Sequence, residues 1–194
     1  MKSIDDAAYG AAAGDGNLAP AVEQLRFFNE ILKWHADGED ELVFPAIEKV
    51  APLAAKTYVH DHHEFDAMTA GLAKIASTSD ALVAARETAA LTAVLRIHLD
   101  KEDQLLYPLL RERTSLEEQT AIVGGMAAHV PPERTPDFIN WFFPLLGHDD
   151  RAMWTRVVMG LMPEQVFAGV KGLIQATVAG DWAELTRRIP ELDS

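Results

Sequence analysis

The 194-residue chain contains no cysteine. That absence excludes disulfides, thiolate-bound zinc, iron–sulfur clusters and cysteine nucleophiles together. Any metal must be held by His, carboxylate, Tyr or water. Positive charge is scarce: 17 Lys and Arg face 30 Asp and Glu, for a formal charge of −13 and a pI near 4.8. Nucleic-acid binding needs phosphate-neutralising cations, and docking on anionic lipid needs a basic surface; neither is supported. Long apolar runs are missing as well. The longest, over 138–147, is interrupted by Asn140 and Pro144 and is too short to span a bilayer. The first residues carry acids where a signal peptide has an apolar core, so a soluble, cytoplasmic protein is expected. Alternating runs of Val, Ile and Thr are rare, whereas alanine occurs 30 times. The chain reads as all-α.

Hydrophobic spacing places helices over about 4–13, from Pro20 through Ala46, over 54–76 and over 81–113. The second carries an inward stripe of Phe28, Leu32, His35, Glu39, Leu42 and Ala46, and Pro45 is expected to kink or end it. The fourth carries Leu91, Leu95, His98, Glu102, Leu105 and Leu109 in the same spacing. On the third, Tyr58, Phe65 and Leu72 share a face, with Met68 and Ile75 beside it. Breaks fall at Gly14-Asp15-Gly16-Asn17 and Ser77-Thr78-Ser79-Asp80. From Ser115 the texture changes: Ser115 and Glu118 form a capping box, and three or four shorter helices follow. The expected division is a bundle over 1–113 and a helical extension over 114–194 packed on it.

Two segments repeat. HADGEDELVFPAI begins at His35 and HLDKEDQLLYPLL at His98, identical at six of thirteen positions, with Phe44 answering Tyr107. In each, His and Glu stand four residues apart, one turn along the same helical face. Both pairs fall on the apolar stripe. A buried carboxylate is costly unless paired or metal-bound, and Lys101, about 100° round the helix from Glu102, is badly placed to pair with it. A single H-x-x-x-E is usually a surface ion pair. Two copies with matched flanks, both inward, point instead to a shared metal centre of two imidazoles and two carboxylates. Mixed N,O ligation inside a bundle suits iron or manganese better than structural zinc. Asp40 and Asp103 lie off the stripe and read as solvated or as partners of the ligands. On the third helix His63 points away from the inner face, and helical phase separates His62 from His60 only weakly. Tyr58 lies on the face, as a core residue or a phenolate ligand. His129 reads as a loop residue and His148 as a helix start.

The doubled H-x-x-x-E with its trailing proline, and a His on the intervening helix, resemble the haemerythrin-like cation-binding domain. KEDQLLYPLL, LEEQTAIVGG and DFINWFFPLL further resemble the haemerythrin domains of plant iron-regulating ubiquitin ligases, without their zinc-finger parts. The resemblance implies an up-down four-helix bundle around a non-haem di-iron centre. His35 and His98 would be terminal ligands, and Glu39 and Glu102 bridges. His62, following Asp61, would be the third-helix ligand, and Tyr58, one turn earlier, a candidate ligand by position. The family also draws a His from its first bundle helix. No His precedes His35 here, as if the sequence began inside that helix. One of two irons would then be held more weakly, with open positions for water, unless His148 or a second chain completes the shell. A homodimer through the shortened first helix follows as an expectation. The implied function is binding or sensing of O2 or a related small oxidant, or iron and oxygen homeostasis. An enzyme acting on peroxide or NO and a metal-dependent interaction module are the alternatives.

Overall fold

A computed structural model describes residues 2–14, 17–75 and 80–193. Every regular element among them is helical, as the scarcity of β-branched alternation predicts. By contact the chain divides into two compact units, Met1–His129 and Val130–Ser194.

In the first unit, α1 spans Lys2–Ala12 and α2 spans Ala19–Gly38, with Pro20 in its first turn. The helix then widens into a π turn over Glu39–Val43 and resumes as α3, Phe44–Val50. After a turn, α4 runs over Lys56–Ile75. The fourth rod repeats the second: α5, Ala81–Lys101, a π turn over Glu102–Leu106, and α6, Tyr107–Arg113. Contacts between α1 and α2, α2 and α4, α4 and α5, and α5 and α1 close a four-helix ring. Leu116–Ala128 forms α7, whose capping box is present: the Ser115 hydroxyl accepts from the Glu118 N–H at 3.2 Å, and Glu118 Oε2 accepts from the Ser115 N–H at 2.7 Å. The division thus falls after His129 and not after 113. α7 belongs with the bundle because its Ile122 and Met126 pack into the core there.

One expectation about the repeated segments is corrected, and one of the two outcomes expected at Pro45 is excluded. Pro45 does not end its helix. In each π turn the N–H after the turn reaches back five residues, Phe44 to the carbonyl of Glu39 and Tyr107 to that of Glu102. The proline follows where the widened ladder gives its ring room. The surplus residue also shifts the inward face. Val43, Ile47, Leu106 and Leu110 are buried, whereas Leu42, Ala46 and Leu109 are half-buried and Leu105 is 64% exposed. A count at 3.6 residues per turn holds up to each Glu and slips by one beyond it.

The bundle core forms two apolar layers. One gathers Ile4, Leu25, Phe65, Leu91 and Leu95, with Phe28, Leu32 and Met68. The other gathers Val43, Phe44, Ile47, Tyr58, Leu106 and Leu110. The side chains of Leu72 and Ile75, and the breakers at 15–16 and 77–79, lie outside the described residues.

The second unit holds α8, Thr135–Phe142; α9, His148–Leu161; α10, Glu164–Thr177; and α11, Trp182–Arg188. Its own core includes Ile139, Phe143, Phe167, Ile174, Leu185 and Ile189. Buried Arg151 donates to the carbonyls of Phe143 (3.1 Å) and Leu146 (2.9 Å) and pairs with Asp181 at 2.8 Å. Its charge is therefore satisfied rather than left for a ligand. His148 starts α9, as expected.

Candidate metal centre

Between the two apolar layers, α2, α4 and α5 each turn polar side chains inward. Glu39 and Glu102, at the first positions of the two π turns, are completely buried, as are His62 and His98 nearly so. Atoms of these four lie within 4.8 Å of one another. His35 joins them from α2: its Nε2 is 3.3 Å from Glu39 Oε2 and 4.0 Å from Glu102 Oε2. His62 Nε2 is 3.4 Å from Glu39 Oε2, and His98 Nε2 is 2.7 Å from Glu102 Oε1. The centre thus assembles His35, Glu39, His62, His98 and Glu102.

Each of two imidazoles is aimed from behind. His62 Nδ1 donates to Asp40 at 3.1 Å and His98 Nδ1 donates to Asp61 at 3.1 Å; Asp61 is also held by Lys101. A carboxylate accepts only, so the proton sits on Nδ1 and the Nε2 lone pair faces inward, the arrangement metal-binding histidines use. Phe44 lies against His62, and Phe65 stands edge-on to His98 with centroids 4.8 Å apart.

The donor set fits a metal ion. His35 Nε2, Glu39 Oε2, His98 Nε2 and both oxygens of Glu102 are buried without a hydrogen-bond partner. Unpaired buried polar atoms are normally expensive, and five converging on one point are what a cation would satisfy. The electrostatics agree. Burial opposes the charge of Glu102, but His35 and His98 hold its pKa down to about 2. Burial also works against protonation of His35, yet Glu102 and Glu39 raise its pKa; His62 is raised against burial by Glu39 and Asp40.

A small pocket of about 80 Å³ opens onto the centre, lined by Leu32, Phe65, Leu95 and Leu99 together with His35, His62 and His98. Through it His35 keeps 34% side-chain exposure.

Tyr58 is buried, but its hydroxyl donates to the carbonyl of Lys101 at 3.2 Å. It is thereby engaged with backbone and not turned to the carboxylates. Burial, reinforced by Glu102 and Asp61, raises its pKa. Of the α4 histidines, His60 and His63 are exposed and His62 lies buried in the cluster. His129 hydrogen-bonds the Gly125 carbonyl and faces Glu41. α1 places Ile4 and Ala7 in the first apolar layer and, among the described residues, contributes no member of the metal cluster. Sequence reasoning missed Tyr107, whose hydroxyl donates to Glu39 Oε1; the signal was the one aromatic mismatch in the repeat, Tyr107 against Phe44. It also missed the role of Asp61, which depends on a contact between helices.

Comparison with known proteins follows the same lines. Over 134 residues the chain is 31% identical to the zinc finger protein BRUTUS of Arabidopsis thaliana, a match covering 66% of this chain and 11% of that protein. A second Arabidopsis thaliana protein, zinc finger protein BRUTUS-like, is 25% identical over 163 residues, 77% of this chain and 13% of its own length. The chain therefore spans only a small part of these curated relatives. No solved structure matches it significantly. Residues 3–110, more than half of the chain and nearly all of the four-helix ring, match the hemerythrin HHE cation binding domain. The chain belongs to that family of cation-binding domains.

Proposed function

We propose that this chain binds iron, as two ions held by His35, Glu39, His62, His98 and Glu102, and that the loaded centre meets O2 or a related small oxidant. The observation that carries the reading is the convergence of five unpartnered buried donor atoms. Nitrogen and carboxylate ligands in this mixture suit iron. Once bound, iron would supply one-electron redox chemistry and coordination positions open to a small ligand.

The chain's own residues do the rest. Asp40 and Asp61 fix two imidazole tautomers. The apolar layers above and below keep bulk water from the carboxylates. The pocket of about 80 Å³ has room beside the centre for molecules of a few atoms, such as O2, peroxide or NO. His35 is the most exposed of the three imidazoles, which favours sensing or turnover over tight reversible carriage. Turnover of peroxide or NO is the second reading, and the same pocket supports it.

Metal analysis and the ultraviolet–visible spectrum of protein made in iron-replete medium test the proposal. Iron near two equivalents, lost in part in Glu39→Ala and almost wholly in Glu102→Ala, is the expected result. Iron-free wild type, or unchanged iron in both variants, would falsify it.

A further inference from the structure

Glu39 and Glu102 occupy the same place in the repeat. Both open a π turn, both stand one helical turn after a His, and both are fully buried. Their oxygens nevertheless differ. Glu102 has two without a hydrogen-bond partner, whereas Glu39 has one, Oε2. The difference comes down to a single hydroxyl. Tyr107 donates to Glu39 Oε1, and its counterpart in the other copy, Phe44, is buried with no hydroxyl to offer.

We propose that Tyr107 is a positioning residue that makes the two carboxylates of the centre unequal, holding Glu39 as a one-oxygen ligand and leaving Glu102 to present both oxygens. This rests on the metal-binding reading and deepens it. With Oε1 engaged, Glu39 turns only Oε2 to an ion. Glu102 is then the carboxylate able to chelate one ion or span two. The hydroxyl has a second effect: in metal-free protein it partners an oxygen that would otherwise be buried unsatisfied.

The test compares melting temperatures of wild type, Tyr107→Phe and Phe44→Tyr, each with chelator and with saturating ferrous iron under anaerobic conditions. Removing the hydroxyl strands Glu39 Oε1 in the metal-free protein, while iron can take up the freed oxygen in the loaded one. The iron-dependent rise should therefore widen in Tyr107→Phe, by roughly 3–10 °C for the cost of one unsatisfied buried acceptor in a chain of this size. In Phe44→Tyr it should not widen. Equal lowering of the metal-free and loaded melting temperatures in Tyr107→Phe would mean that Tyr107 only packs, and overturns the inference. A second measurement needs no variant. Infrared difference spectra of loaded against metal-free wild type should contain two kinds of carboxylate, one with the wide stretch separation of one-oxygen ligation and one with the narrow separation of two-oxygen ligation. A single kind overturns the inference while leaving iron binding intact. Wild type without any iron-dependent rise defeats the metal reading itself, and this inference with it.

Discussion

The two copies of the repeat share a backbone and differ in their support. Each runs His, Glu, π turn, aromatic, proline in a continuous helical rod. Behind His98 stand Asp61 and Lys101, and the imidazole is buried. The side chain of His35 is 34% exposed beside the pocket. The imbalance reverses further along. Leu42, in the first copy, lies under Gly125 of α7, where a Cβ would come within 2.5 Å of its Cδ1. Its counterpart Leu105 is exposed. The second copy is thus reinforced at its histidine, and the first at the outer face of its π turn. The pattern the two copies share sets where each His and Glu stands, and contacts between helices decide how firmly each half is held.

Substitutions at the proposed ligands should break this comparison most sharply. Glu102→Ala should remove essentially all bound iron, whereas Glu39→Ala should leave about one ion per chain. Metal content after desalting decides between this and equal loss. Next in size, Asp61→Asn takes the carboxylate from His98 and should weaken iron binding by about 10–100-fold. Asp40→Asn should cost less, because Asp40 is more exposed. Competitive titration against a chromogenic chelator measures both.

Acidity should act on the first copy, through His35, and on α4, through His62, in opposite senses with and without metal. His35 and His62 titrate above the usual 6.5 because their carboxylates outweigh the effect of burial. A raised pKa contributes stability that is fully present below the unfolded value of about 6.5 and lost as pH rises through the folded value. The chelated protein should therefore lose melting temperature from pH 6 towards pH 8. Iron must displace those protons, so its affinity and the iron-dependent rise should grow over the same interval. Glu102, whose pKa is held down to about 2, contributes stability that is fully present above about pH 5 and should be lost progressively as pH falls from there towards 2. A melting temperature that climbed with pH in the chelated protein would contradict this assignment.

Smaller effects sharpen the structural half of the comparison. Gly125→Ala should destabilise the chain by no more than about 2 kcal/mol, the cost of turning the half-buried Leu42 side chain aside less the gain of Ala over Gly within a helix. Leu105→Ala, at the equivalent place in the second copy, should fall within about 0.5 kcal/mol of wild type, as exposed substitutions do. Urea unfolding monitored by circular dichroism reads both.

Much of this was legible from spacing alone. His35, Glu39, His98 and Glu102 follow from two i, i+4 pairs on apolar stripes, and the Ser115 capping box follows from local chemistry. What failed had physical reasons. A constant period of 3.6 puts Leu42, Ala46, Leu105 and Leu109 inward, whereas the π turn hands that role to Val43, Ile47, Leu106 and Leu110. Tyr58 lay on the correct face, but the partner of its hydroxyl is the Lys101 carbonyl on a neighbouring helix. Asp61 and Tyr107 act across the bundle on His98 and Glu39, and no helical wheel contains that information.

The π turns also bear on how the chain tolerates changes of length. In an ordinary helix, deleting one residue swings everything downstream by about 100° and would turn a core face to water. Here the opposite holds. Removing exposed Gln104 would return the rod to regular α-helix and leave Leu106 and Leu110 in phase with Leu91, Leu95, His98 and Glu102. The obstacle would be Pro108, whose ring meets the carbonyl four residues back in a regular helix, at a cost of about 3 kcal/mol. Insertion and imino acid are therefore matched. Deletion of Gln104 combined with Pro108→Ala should do less damage than the two single changes predict when summed, since each removes what made the other necessary.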